Sequence, residues 1–419
     1  MIKFAAASSI GARQAWLWRH RREFADPVAG KVPSLLVDVS AIIRHDAQTG
    51  IQRVVRAVWS ELRRRNGAVF DLIPVFASPQ HGYCCAPLDF LERKVEPIAE
   101  SPVRVRPGDK FIGLDLSAHL LPKYRRQLRA WRQHGATIHL VVYDLLPLQR
   151  PGWFTTSAVN HFQRWFDLLA TEADQAICIS NHVASDLKDH LRSVRSSRAL
   201  EIGRLRMGSD MAASIPSLGV GDDVKQILER MRFRPAVLMV GTVEPRKGYE
   251  LAIAAFEHLW RARPEAPDLV MVGKAGWKTD RLQKALRSHP EYGRRLCWFD
   301  QMSDEGLCLL YEASKGLLMA SRGEGWGLPL LEAAMHRKFV LARDLPVFRE
   351  QGLPNVIYFK DDSALGLGRQ IIDLVNMAQE AAPAAQLPTW STCVDELLNA
   401  IGIPHQEAIR VEQALRKAS

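Results

Sequence analysis

Gly323, Gly325 and Gly327 alternate with Glu324 and Trp326 and run into Leu328-Pro329-Leu330-Leu331-Glu332-Ala333. Glycines at this spacing let a backbone approach a ligand without Cβ obstruction. Pro329 suits the first turn of a helix, whose unpaired amides would point at whatever the loop holds and stabilise a phosphate there. Two carboxylates flank the arrangement, Glu324 in the loop and Glu332 expected in the first helical turn. Each can accept hydrogen bonds from paired hydroxyls such as those of a sugar or a ribose. The competing reading makes Glu332 a helix-dipole partner and Glu324 a solvated loop residue.

Two further stretches have related chemistry. Val240-Gly241-Thr242-Val243-Glu244-Pro245-Arg246-Lys247-Gly248 leads into a run with Leu251, Ala254, Ala255 and Leu259 at helical spacing. Here the forked guanidinium of Arg246 and the ammonium of Lys247 would jointly neutralise a diphosphate and help a nucleotide leave. A solvated basic turn is the alternative. Thr49-Gly50-Ile51-Gln52-Arg53 opens the run Val54 to Leu62, and an ordinary turn would account for that glycine equally well.

The elements that must position these residues read as short apolar runs, each followed by a longer amphipathic stretch. That alternation builds parallel sheets covered by helices. The first set includes Leu35–Val39, Leu72–Phe76, Phe111–Leu114, Ile138–Tyr143 and Ala176–Ile179. The second includes Val237–Val240, Leu269–Val272, Leu296–Phe299, Gly316–Met319 and Phe339–Ala342. Ser209–Asp223, rich in Ser, Gly and Pro, reads as a linker between them. The expected domains are 1–215, with a basic extension over 1–33, and 216–389, followed by a helical segment over 390–419 that crosses back to the first domain. All three glycine-bearing loops follow predicted strands, where open parallel sheets bind ligands.

These stretches resemble the retaining glycosyltransferases of the GT-B fold, in particular glycosyltransferase family 4, which includes many bacterial mannosyl- and rhamnosyltransferases. The signature E-G-x-G-L-P-x-x-E-A is matched here from Glu324 to Ala333, and the likeness is strongest over Val237–Pro346. The resemblance implies an α/β chain of two Rossmann-like domains facing across a cleft. It implies that Glu324 contacts the donor sugar at the reacting end, that Glu332 holds the ribose hydroxyls, and that Lys247 binds phosphate. The family's earlier basic residue is replaced by Thr242, so Arg246 would compensate.

By the same likeness Gly325, Trp326, Gly327 and Leu328 line the donor loop, with Gly273 in a neighbouring one. Met302 lies in the segment Phe299–Leu310 that receives the base, and Gly50 faces the diphosphate across the cleft. Val142-Tyr143-Asp144-Leu145 resembles the family's strand-end H-D-L element, with Tyr143 in place of His. Asp144 is then a candidate to position acceptor or sugar, or else it caps the following turn. The implied reaction is transfer of a mannose- or rhamnose-like hexose, from a GDP-linked or other nucleotide donor, with retention. The acceptor would be a saccharide or a polyprenyl-diphosphate-linked glycan. A sugar-nucleotide epimerase and a non-catalytic nucleotide-sugar-binding subunit are the rivals.

Composition fits this frame. The chain has 419 residues and a net charge of +10; residues 1–215 hold 30 Lys and Arg against 20 Asp and Glu, whereas the remainder is balanced. A basic first half suits an anionic partner such as a membrane surface or a phosphate-bearing substrate. No recognised nucleic-acid-reading module occurs. Six cysteines without C-x-x-C spacing indicate a reducing compartment and no zinc, and no run is long enough to span a bilayer. Asp222-Asp223 and Asp361-Asp362 read as solvated turns, so neither metal nor cofactor is expected. Residues 10–24 mix Trp16, Trp18 and Phe24 with arginines, as a membrane-surface helix or a helix packed on the protein itself would. The expected location is the cytoplasm, peripherally on the membrane's inner face.

Overall fold

The computed structural model describes residues 24–67, 69–92, 100–194, 198–377 and 385–404. The basic stretch 10–23 therefore lies outside the described residues, as does 405–419. Each half of the chain forms a sheet with helices on both faces. In the first lobe eight strands run in the order β4-β3-β2-β1-β5-β6-β7-β8: β1 Ser34–Asp38, β2 Asp71–Ser78, β3 Gly82–Cys85, β4 Ser101–Pro102, β5 Lys110–Gly113, β6 Thr137–Val142, β7 Gln175–Cys178 and β8 Glu201–Arg204. Only the β2-β3-β4 edge is antiparallel. In the second lobe six parallel strands run β11-β10-β9-β12-β13-β14: β9 Ala236–Val240, β10 Asp268–Val272, β11 Leu296–Phe299, β12 Gly316–Met319, β13 Val340–Arg343 and β14 Val356–Phe359.

The inner strands are apolar along their whole length because helices cover both faces; β1 and β10 are buried at every position. The order of the second sheet reverses between β9 and β12, which are hydrogen-bonded neighbours. That reversal opens a crevice beyond their carboxyl ends. The helices that frame the site are α1 Gly50–Arg64, α2 Asn181–Leu191, α3 Tyr249–Ala262, α4 Asp304–Ala313, α5 Leu328–Met335, α6 Pro346–Glu350 and α7 Trp390–Ala400. α1 starts where it does because Thr49 and Gln52 make a reciprocal capping box, which satisfies two otherwise orphaned amides. The side chains of Val54, Val58 and Leu62 then bury one face of the helix.

Between the sheets, Asp222 and Asp223 form the first turn of a helix ending at Met231. They are solvated as expected, but in a helix rather than a turn, since carboxylates favour the positive end of a helix dipole. α7 lies against the first lobe. Trp390 N donates to Asp210 at 2.9 Å, Gln175 Nε2 to the Ala400 carbonyl at 3.0 Å, and Arg206 Nε to Glu396 at 2.5 Å. Among the described residues no helix is long and apolar enough to cross a membrane.

Candidate functional site

The loops leaving β9 and β12 are tied together, with Arg322 N donating to the Arg246 carbonyl at 2.7 Å. Residues Pro245–Lys247 make a single tight turn before α3, and both cations turn onto Glu324. Lys247 Nζ lies 2.6 Å from Glu324 Oε1, and Arg246 Nη1 lies 2.5 Å from Oε2 and 2.9 Å from the Gly323 carbonyl. The second fork of Arg246 reaches Glu244 Oε1 at 2.8 Å. Burial alone would raise the Glu324 pKa, but the Arg246 and Lys247 charges outweigh it and hold the carboxyl at about 2. Glu244 is raised by burial, and its Oε2 has no partner among the described residues. The sequence reading gave Glu244 no role; its carboxylate steadies Arg246 from behind.

The first lobe closes on this cluster. A Cβ at Gly325 would collide with the Tyr143 carbonyl and crowd Asp144, so only glycine lets the lobes approach here. Ser180 Oγ, at the start of α2, donates to the Gly325 carbonyl at 3.0 Å. Asp144 does two things at once. It accepts from Leu146 N at 3.1 Å as a turn cap, and it lies close enough to Arg246, Glu324 and Lys247 for their charges to act on it, although burial dominates and raises its pKa. Tyr143, the residue in the histidine position, points its hydroxyl to the Leu114 carbonyl at 2.7 Å. On the outer side, Trp277 Nε1 donates to the Trp153 carbonyl at 2.8 Å while its ring stacks on Phe154.

One turn further on stands Glu332. It is the fifth residue of α5 and thus sits in the second turn, not the first, because the helix already begins at Leu328. Its Oε2 accepts from Tyr311 OH at 2.8 Å, and its Oε1 is ion-paired to Arg53 of the first lobe. Leu328 faces Gly50 across the cleft, and Gly327 caps the helix with a φ of +98°. The Trp326 side chain turns into the core instead of lining the opening, and its carbonyl accepts from Gln351 Nε2 at 2.7 Å. Gly273 closes β10 and accepts from Trp298 Nε1 at 2.8 Å; Thr242 packs beside Gly276, and half-buried Met302 packs near Gly306 at the start of α4. The donor-side candidates thus gather at one end of one sheet, with Gly50 and Asp144 opposite them.

The family profile described as "Glycosyl transferases group 1" matches residues 223–385, a span that contains Thr242, Arg246, Lys247, Gly273, Met302, Glu324 and Glu332. The chain carries a glycosyl transferases group 1 domain. Over 365 residues it is 38% identical to the serotype-specific mannosyltransferase WbdA of Escherichia coli, a match covering 85% of this chain and 44% of that protein. The chain therefore spans less than half the length of this curated relative. The O-antigen chain mannosyltransferase B of E. coli matches more narrowly, at 34% identity over 99 residues, 23% of this chain and 25% of that one.

Among solved structures, Anabaena Alr3699/HepE in complex with UDP and glucose superimposes with a TM-score of 0.57 at 15% identity, over 92% of this chain and all of that one. A glycosyltransferase from Rickettsia africae ESF-5 gives 0.56 at 16% identity, over 88% and 98%. The fold is GT-B, as the family resemblance of the glycine-bearing loops implies.

Three residues that bring the lobes of this glycosyltransferase-type fold together were not singled out from the sequence: Arg53, Ser180 and Glu350. Each makes a contact more than a hundred residues away in the chain. Arg53 was visible only as the end of the Thr49–Arg53 stretch, and no spacing rule links it to Glu332.

Proposed function

We propose that this chain transfers mannose from a GDP-linked donor to a saccharide acceptor, by family 4 chemistry with retention at the anomeric carbon. The observation that carries the reading is the convergence of Arg246, Lys247 and Glu324 at the β9–β12 crevice, with Asp144 and Gly50 facing them from the other lobe. The choice of mannose rests on the 38% identity to WbdA. A diphosphate entering the crevice competes with Glu324 for the two cations. It thereby frees the carboxylate to meet the donor sugar.

In the reaction the bond from the anomeric carbon to the diphosphate oxygen breaks and the electron pair leaves with the nucleotide. Lys247, Arg246 and the amides at the start of α5 stabilise that developing charge. The acceptor hydroxyl attacks from the same face, and its proton passes to the departing phosphate oxygen. Glu324 faces the oxocarbenium-like carbon, Asp144 holds acceptor or sugar, and Glu332 takes the ribose hydroxyls. Fixed cations and amides do the work that a divalent metal does elsewhere, so the proposed reaction needs no metal. The acceptor is a lipid-linked glycan met at an anionic membrane surface by the basic first lobe.

The test is a panel of GDP-, UDP- and dTDP-sugars, scored for nucleotide release and for product with and without mannosylated, lipid-linked acceptor. Acceptor-dependent release from GDP-mannose, with an α-linked product, is expected. Nucleotide release without glycoside formation would replace transfer by hydrolysis or epimerisation, and binding without turnover would make the chain a non-catalytic subunit.

A further inference from the structure

Arg53 stands one helical turn after Gly50 on α1, and its side chain leaves its own lobe. One arm of the guanidinium is ion-paired to Glu332 on α5, and the other lies 2.6 Å from Asp304 Oδ1 at the start of α4. Asp304 is fixed in turn by the segment joining the lobes, since its Oδ2 accepts from both Ser217 N and Ser217 Oγ at 2.9 Å. Burial works against the Arg53 charge, but Glu332 and Asp304 more than compensate and keep it protonated. A planar fork that meets two carboxylates at once fixes orientation in a way that a lysine would not.

We propose that Arg53 is a positioning residue for the donor's ribose, acting through Glu332 and only when the lobes are together. The inference rests on the reading of Glu332 as the ribose acceptor. Each carboxylate oxygen offers two lone-pair directions. Arg53 takes one on Oε1 and Tyr311 takes one on Oε2. The carboxylate is thereby held in one orientation, with one direction left on each oxygen for a pair of neighbouring hydroxyls. When the lobes part, Arg53 withdraws with α1 and Glu332 keeps only Tyr311. Ribose affinity is therefore linked to lobe closure, and by reciprocity an occupied ribose site favours closure.

The test compares wild type with Arg53→Met in the full chain, by calorimetric titration with GDP, 2′-deoxy-GDP and inorganic pyrophosphate. Wild type is expected to prefer GDP over the deoxy analogue by about tenfold or more, one well-placed charged hydrogen bond being worth about that much. Arg53→Met should lose about tenfold in GDP affinity, bind the deoxy analogue and pyrophosphate nearly as before, and so reduce the preference to below about threefold. Arg53→Lys should restore part of it. A residue that merely held the lobes in shape would weaken all three ligands together.

Should Arg53→Met not fold, Asp304→Asn removes one of the two anchors while leaving Glu332 intact, and is expected to lower the preference about threefold. An undiminished preference for GDP in either variant overturns the inference alone. A wild type that binds GDP and the deoxy analogue equally removes the ribose role of Glu332, and this inference with it. A wild type that binds none of GDP, 2′-deoxy-GDP and pyrophosphate overturns the donor reading itself.

Discussion

Glu324 and Glu332 belong to one loop-and-helix unit, yet their charges are compensated in opposite ways. Glu324 is met by Arg246 and Lys247 of its own lobe, from the neighbouring strand end. Glu332 is met by Arg53 from the other lobe. The ion pairs of Glu324 are thus made within the second lobe alone, whereas those of Glu332 are complete only when the lobes meet. On the function proposed above, such a chain can open to release nucleotide with its Arg246, Lys247 and Glu324 cluster intact while loosening its hold on the nucleoside.

The strongest way to break this comparison is Glu324→Gln. The variant leaves two buried cations facing a neutral amide, and separating a buried ion pair in this way typically costs about 3–5 kcal/mol. If the pair belongs to the second lobe, that loss appears in chemical denaturation even without ligand, while the proposed mannosyl transfer falls by about a thousandfold in kcat. The same measurements on Glu332→Gln should show a smaller loss of stability, because Arg53 keeps Asp304, and a change mainly in KM. Equal losses of stability in the two variants would erase the distinction.

Two buried carboxylates, one in each lobe, also respond to acid in opposite ways. With its folded pKa near 2 against an ordinary 4.5, Glu324 contributes stability above pH 4.5 that is lost as pH falls toward 2, on the order of 3 kcal/mol in all. Asp115, beyond β5 in the first lobe, behaves oppositely: burial, with the Asp38 charge second, raises its pKa to about 6. Its folded state binds the proton more tightly, so its contribution is favourable at pH 4 and is lost as pH rises through 6. Asp115→Asn retains an acceptor for Ile42 N, which now donates to Oδ2 at 2.8 Å. The variant should therefore be about 1–2 kcal/mol more stable than wild type at pH 7.5 and no better at pH 4. A difference that does not vary with pH would mean that Asp115 is not the titrating group.

Much of this was legible in the sequence wherever local chemistry repeats. The ten predicted strands coincide with nine central members of the two sheets and with the edge strand β11, because buried parallel strands are uninterrupted apolar runs, as in Ala-Val-Leu-Met-Val of β9. The edges were harder to read. β3, Gly82–Cys85, is short and antiparallel, and β8, Glu201–Arg204, carries Ile202 as its one large apolar side chain at the rim of its sheet. Within the site, Arg246, Lys247 and Glu324 were readable because each sits in a glycine-bearing loop beyond a strand. Arg53 and Ser180 were not, because their partners lie in the other lobe and no local pattern encodes a contact across a cleft. Tyr143 misled for a different reason: its position suggested the site, but its hydroxyl turns back to Leu114 of its own lobe.

The smallest expected effect lies at the second contact between the lobes. Glu350, the last residue of α6, accepts from Asn181 N at 2.6 Å and His182 N at 3.0 Å, so a carboxylate of one lobe caps the α2 helix of the other. The cap satisfies two amides at the positive end of the helix dipole, which places its worth at about 1 kcal/mol. Because Asn181 is exposed, water can take over part of that role, and Glu350→Gln should lower stability by no more than this, with less effect at high salt. Its informative readout is cooperativity. If charge across the cleft couples the lobes, the variant should separate one denaturation transition into two when fluorescence and circular dichroism are followed together. If the transitions remain superimposed in Glu350→Gln but separate in Arg53→Met, then the ribose side of the cleft, and not the α2–α6 side, holds the lobes together.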